Sequence, residues 1–131
     1  MQDAKSPSSL PAITWFEIPS SDFERAIRFY QTMLNVELKR DEMSGIAMAM
    51  FPVEDPQTGG AVVHGAPYKP SADGVCPYLY TTDLSGALSR AARMGSEIVM
   101  PKTFLTPEIG YIALLMDSEG NRIGLHSFAD S

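Results

Sequence analysis

The sequence predicts a single α+β domain made of two related halves, each running strand, helix and then three more strands. Three observations carry this. Apolar residues recur with period two, then with helical spacing, then with period two again, and the whole order repeats once. Laying Asp83 on Asp22, the two helix-cap acids, sets Leu84 on Phe23, Ala87 on Ala26, Leu88 on Ile27 and Cys76 on Trp15. Each helix is followed by about three strands, more than a ferredoxin-like arrangement of two helices for four strands provides.

The elements follow in chain order. Ile13–Pro19 alternates, with Trp15 and Glu17 on one face and Thr14, Phe16 and Ile18 on the other. Ser20, Ser21 and Asp22 are N-cap residues, and Phe23, Ala26, Ile27, Tyr30 and Leu34 then mark one stripe of a helix over Asp22–Leu34. Strands are expected at Val36–Arg40, Ile46–Phe51 and Gly60–His64, the last two divided by the turn-rich PVEDPQTGG. The second half opens with a strand at Pro77–Thr81. Thr82 and Asp83 cap a helix carrying Leu84, Ala87, Leu88, Ala91 and Met94, and Gly95 stops it. Strands at Glu97–Met100, Tyr111–Met116 and Arg122–Ser127 complete the chain, the last two joined by a tight turn at Ser118–Asn121. Residues 1–11 read as a flexible tail, 12–65 as module one, 66–74 as a linker and 75–131 as module two.

Composition narrows the function. The chain has 131 residues, enough for one domain and a real core, and its 44% hydrophobic and 20% charged fractions are those of a soluble protein. A net charge of −6 supplies no basic field for nucleic acid and is repelled by anionic membranes. No apolar stretch approaches the ~20 residues of a membrane span, and MQDAKSPSSLP has no apolar core of a signal peptide. Cys76 is the single cysteine, so no intrachain disulfide forms. The expected location is the cytoplasm.

Two segments resemble a known family. Phe16-Glu-Ile-Pro-Ser-Ser-Asp22-Phe-Glu-Arg-Ala-Ile-Arg-Phe-Tyr30 is similar to the opening of vicinal oxygen chelate proteins, which include glyoxalase I, bleomycin-resistance proteins and extradiol dioxygenases. Gly110-Tyr-Ile-Ala-Leu-Leu-Met-Asp117-Ser-Glu-Gly-Asn121-Arg-Ile-Gly-Leu125 is similar to the segment that closes them. The resemblance implies an open, cup-shaped mixed sheet of eight strands with the helices outside, a small-molecule ligand and a homodimer. In metal-dependent members it also implies a divalent ion held by His, Gln or Glu from the first and last strands of each module. There the metal polarises adjacent substrate oxygens. The matching positions here are Trp15, Cys76, Gly124 and about Val62. Indole, isopropyl and hydrogen offer a metal no lone pair. The expectation is therefore a cup without the usual metal and with no cofactor.

Strand alternation extends the list. With Trp15 inward, Glu17 follows; with Cys76 inward, Tyr78 and Tyr80 follow; Gly124 and His126 share a face. Laying Arg122-Ile-Gly-Leu-His126 on Gly60-Ala-Val-Val-His64 matches the only two histidines. The expected ligand-binding set is Trp15, Glu17, His64, Cys76, Tyr78, Tyr80 and His126, with Glu17 and His126 as candidate proton-transfer groups. Each has a plainer reading as well. His64 also reads as a solvated strand end, Cys76 as a small hydrophobe, Glu17 as an exposed strand residue, and the methionines as core. Tyr68 and Phe104 stand in loops beside the expected opening. Two functions fit: a module that binds a small organic molecule, or a metal-dependent lyase, isomerase or dioxygenase with a relocated site using Glu17 and the histidines.

Overall fold

The computed structural model describes residues 11–131, so the expected tail lies outside the described residues except for Pro11. Both modules form, in the order β1 (Trp15–Pro19), α1 (Phe23–Leu34), β2 (Lys39–Met43), β3 (Ile46–Met50), β4 (Gly59–His64), then β5 (Tyr78–Tyr80), α2 (Leu84–Arg93), β6 (Ile98–Thr106), β7 (Gly110–Met116) and β8 (Arg122–Ser127). The eight strands make two mixed four-stranded sheets of identical design, β1-β4-β3-β2 and β5-β8-β7-β6. In each, the opening strand runs parallel to the closing one and the remaining pairs are antiparallel.

Local chemistry sets the element ends. The Asp22 carboxylate accepts the Arg25 amide at 3.1 Å, and the Asp83 carboxylate accepts the Gly86 amide at 3.0 Å. Asn35 ends α1 in the left-handed conformation (φ 55°). Gln31 then holds the chain to the helix end, its carbonyl accepting from Val36 and its side chain from Leu38. That hold delays β2 to Lys39, three residues later than the sequence suggests. Ser44 and Gly45, both with positive φ, make the two-residue turn into β3. Strand β6 runs well beyond the expected Met100; its pairing with β7 shifts register on either side of Pro101, where the missing amide breaks the ladder.

One face of each sheet joins a common core. Ile18, Ala49 and Val62 from the first sheet and Leu79, Ala113, Leu115, Ile123 and Leu125 from the second pack with Ile27, Tyr30, Met33, Leu84, Ala87 and Ala91 of the helices. The opposite face of the first sheet buries Met48, Ala61 and Val63 beneath Tyr68 of the linker. The predicted methionine cluster thus splits: Met48 is core, Met50 is half-buried and Met43 is exposed.

The turn between β7 and β8 ties the modules together. Asp117 accepts the Tyr30 hydroxyl at 2.6 Å, the Asn121 side chain, and the amides of Glu119 and Asn121. Asn121 donates to the Pro19 carbonyl and accepts the Ser71 amide. Glu119, its side chain fully buried, accepts the amides of Ser21 and Asp22 at the start of α1 and an ion-paired bond from Arg25 at 2.8 Å. Arg90 of α2 donates in turn to the Met33 carbonyl near the end of α1.

Candidate ligand-binding cavity

The register of the parallel pairs decides which side chains share a face. Trp15 lies opposite Gly59 and Glu17 opposite Ala61; Tyr78 lies opposite Gly124 and Tyr80 opposite His126. The chain leaves both opening strands in the same way: the Ser20 amide bonds the Val63 carbonyl and the Thr81 amide bonds the His126 carbonyl, each at 2.9 Å. Val63 is therefore the counterpart of His126, and Ala61 the counterpart of Gly124. The sequence alignment on this strand is one residue out, and with a period of two a one-residue slip turns every side chain over. Val62 sits in the core. His64 falls on that same side, beside Phe23, with Nδ1 donating to the Ser20 carbonyl at 2.9 Å. It does not join the other expected site residues.

The described residues line an open cavity of about 730 Å³. On one side stand Phe16, Leu34, Val36 and Phe51 of module one; on the other stand Tyr78, Tyr80, Thr82 and His126 of module two, with Phe128 just beyond β8. Phe51 joins the walls, lying 5.7 Å from Phe16 between ring centroids. Across from it Phe128 lies 4.6 Å from His126 and 5.6 Å from Tyr80, edge-on or tilted, the arrangement aromatic quadrupoles favour. No Asp, Glu, Lys or Arg lines this cavity, although the chain carries 16 acidic and 10 basic side chains.

Two glycines make room for these walls. A Cβ on Gly60 would fall 2.2 Å from the Phe16 ring, and one on Gly124 would fall 2.4 Å from the Tyr78 ring. Each aromatic ring lies over the glycine that pairs with it across the parallel strands. At Gly124, the position to which the resemblance assigns a metal donor, the space belongs to Tyr78.

The structure brings together three of the expected residues, Tyr78, Tyr80 and His126. Phe16 lines the cavity, so Trp15 and Glu17, its neighbours on β1, face the other way. There Trp15 Nε1 donates to Glu17 at 3.3 Å, and the neighbouring Glu17 carboxylate raises the Tyr68 pKa. Cys76 is half-buried ahead of β5, outside the cavity lining. Phe104 packs on Tyr111 at 5.3 Å. Of the positions the resemblance assigns to metal donors, Trp15, Ala61 and Gly124 offer no lone pair, and the Cys76 thiol alone does not make a divalent-ion site. Among the described residues no three His, Cys, Asp or Glu side chains cluster as a metal site would require. Phe16, Phe51 and Phe128 escaped the sequence reading. Phe16 reads only as the core-facing partner in an alternating strand, Phe51 as the last residue of the expected Ile46–Phe51 strand, which ends at Met50, and Phe128 stands just past the end of β8.

No family model and no curated protein matches the sequence. Solved structures do match it. TnmS3, an antibiotic binding protein from Streptomyces sp. CB03234, superposes with a TM-score of 0.63 and 25% identity, covering 91% of this chain and 97% of that one. A glyoxylase/bleomycin resistance protein/dioxygenase domain from Frankia sp. EAN1pec gives 0.67 at 17% identity, over 91% and 98%. Leishmania major glyoxalase I gives 0.67 at 15%, over 91% and 88%. Two β-α-β-β-β modules, their paired mixed sheets and these likenesses give the chain the fold shared by glyoxalase I and the glyoxalase/bleomycin resistance proteins.

Proposed function

We propose that this protein binds a small organic molecule, largely aromatic, in the cavity between Phe16 and Phe51 on one side and Tyr78, Tyr80 and Phe128 on the other, without the superfamily's usual divalent metal. One observation carries the reading: a cavity of about 730 Å³, of the size that holds drug-like ligands, is walled by aromatic rings that two glycines accommodate. The solved relative described as antibiotic binding supports a binding role over turnover. The residues at the metal-donor positions support a metal-free site. Glu17, committed to Trp15 and Tyr68 on the opposite face of β1, is not placed to serve as a base in this cavity. His126 remains the one candidate proton-transfer group on its wall.

The test is thermal stabilisation by a panel of neutral aromatic compounds, because a ligand that prefers the native state raises Tm with its concentration. Tyr80→Ala is expected to weaken any hit at least tenfold, as loss of a packed aromatic contact does. A hit unaffected by that change would place the ligand elsewhere. Elemental analysis of protein purified without chelators is expected to show no stoichiometric nickel, zinc or iron; one ion per chain would overturn the metal-free reading. We also propose a cytoplasmic homodimer, checked by light scattering at micromolar concentration.

A further inference from the structure

His126 has a hydrogen-bonding state that its surroundings dictate. Its Nε2 lies 2.6 Å from the Ile109 carbonyl oxygen. A carbonyl oxygen only accepts, so Nε2 carries the proton, and in the neutral imidazole Nδ1 is left as an acceptor. Among the described residues nothing donates to Nδ1, and no buried side-chain polar atom is left without a partner, so Nδ1 opens to solvent. The ring is gripped edge-on between Tyr80 and Phe128 on the cavity wall, which fixes its plane.

The rest of the wall restricts what the cavity accepts. With no charged side chain present, an ionised ligand would lose its hydration with no counter-ion to replace it. The aromatic faces favour a flat π-system. We infer that the ligand is an uncharged, planar aromatic molecule bearing a ring hydroxyl, and that this hydroxyl donates to Nδ1 of His126. The inference rests on the cavity being the binding site, and it assigns His126 the selection of hydroxylated over bare aromatic rings. A site built to satisfy a polar group discriminates against the analogue that lacks it, because the protein atom then loses its water and gains no partner.

Naphthalene and 2-naphthol, titrated by calorimetry, separate the two levels of the argument. The native protein is expected to bind 2-naphthol about three- to tenfold more tightly than naphthalene, the range one neutral hydrogen bond supplies. In His126→Phe the ratio is expected to fall to about one. In His126→Asn, whose carboxamide oxygen stands near the place of Nδ1, part of the preference is expected to return. Nitrogen NMR of the native protein checks the same contact without substitution: 2-naphthol is expected to shift the His126 Nδ1 resonance and naphthalene to leave it in place. Equal binding of the two probes by the native protein, a preference that survives in folded His126→Phe, or an Nδ1 resonance indifferent to 2-naphthol would overturn the inference and leave the binding site standing. Failure of both probes to bind would remove the binding site, and the inference with it.

Discussion

Gly124 and Tyr78 compete for one volume. The ring of Tyr78 occupies the space that any side chain at position 124 would need. Gly124→Ala is therefore expected to push the Tyr78 ring off the cavity wall. Because Tyr78 is half exposed and able to swing away, the stability cost should stay near the lower end of the ~1–3 kcal/mol typical of overpacking, while aromatic-ligand affinity falls severalfold. Calorimetric titration beside denaturant unfolding separates the two effects; unchanged affinity would mean that Tyr78 is no part of the site. Glu119 is the other residue whose setting has a measurable consequence. Burial alone would raise its pKa, but hydrogen bonds from Arg25, the Asp22 amide, Ser118 and Ser21 overcome that and hold it at about 2, against an ordinary value of 4.5. A depressed carboxylate contributes stability that is fully present above the unfolded value and is lost as pH falls from about 4.5 towards 2. The shift corresponds to about 2–3 kcal/mol once solvent screening at half-exposed Arg25 is allowed for. Glu119→Gln is expected to lose that amount at neutral pH and to converge with the wild type near pH 2, as followed by urea unfolding across the pH series.

At the scale of elements, helix starts were the most legible features of the sequence. Asp22 and Asp83 cap α1 and α2 as their positions in Ser-Ser-Asp and Thr-Thr-Asp suggest, because capping is decided within four residues. Asp22→Ala is expected to cost about 1 kcal/mol in denaturant unfolding, the worth of an exposed cap. A cost near zero would mean that Glu119, which already accepts the Ser21 and Asp22 amides just ahead of that first turn, holds the helix start without the cap. Strand faces were less legible. On β4 the run Gly-Gly-Ala-Val-Val-His has small or apolar residues at both parities, since both faces of that strand are buried. Nothing in such a run distinguishes Val62 from Val63, so matching the two histidines sets this strand one residue out of the register the structure shows. Strand β2 came late because Gln31 holds the chain beyond α1, a bond from a side chain seven residues back that periodicity does not register. The aromatic half of the site on β5 and β8 was readable because alternation there is strict. Its other half comes from module one and depends on how the modules pack, which no local pattern records.

At the scale of the molecule, the same β-α-β-β-β grammar occurs twice, yet the halves do not stand as separate bodies. Their helices and inner sheet faces share one core. The cavity too needs both, since Phe16 and Phe51 come from one module and Tyr80, His126 and Phe128 from the other. The Asp117–Asn121 turn fastens this arrangement through polar bonds to Pro19, Ser21, Asp22, Arg25 and Tyr30. Those bonds join residues about ninety to one hundred positions apart, so the sequence motif was visible while its partners were not. A shared core with a buried polar fastening should make unfolding a single cooperative step. Trp15 and Cys76, each unique in the chain and occupying equivalent places in the two modules, are natural reporters. Tryptophan emission and a fluorophore on half-exposed Cys76 are expected to give coincident midpoints in urea. Asn121→Ala severs the bonds to Pro19 and Ser71 and removes one donor to Asp117, leaving buried partners unsatisfied. It is expected to lower both midpoints together by about 2–4 kcal/mol of stability. Should the Cys76 signal move while Trp15 holds its midpoint, the modules would be folding independently, and a cavity shared between them would lose its physical basis.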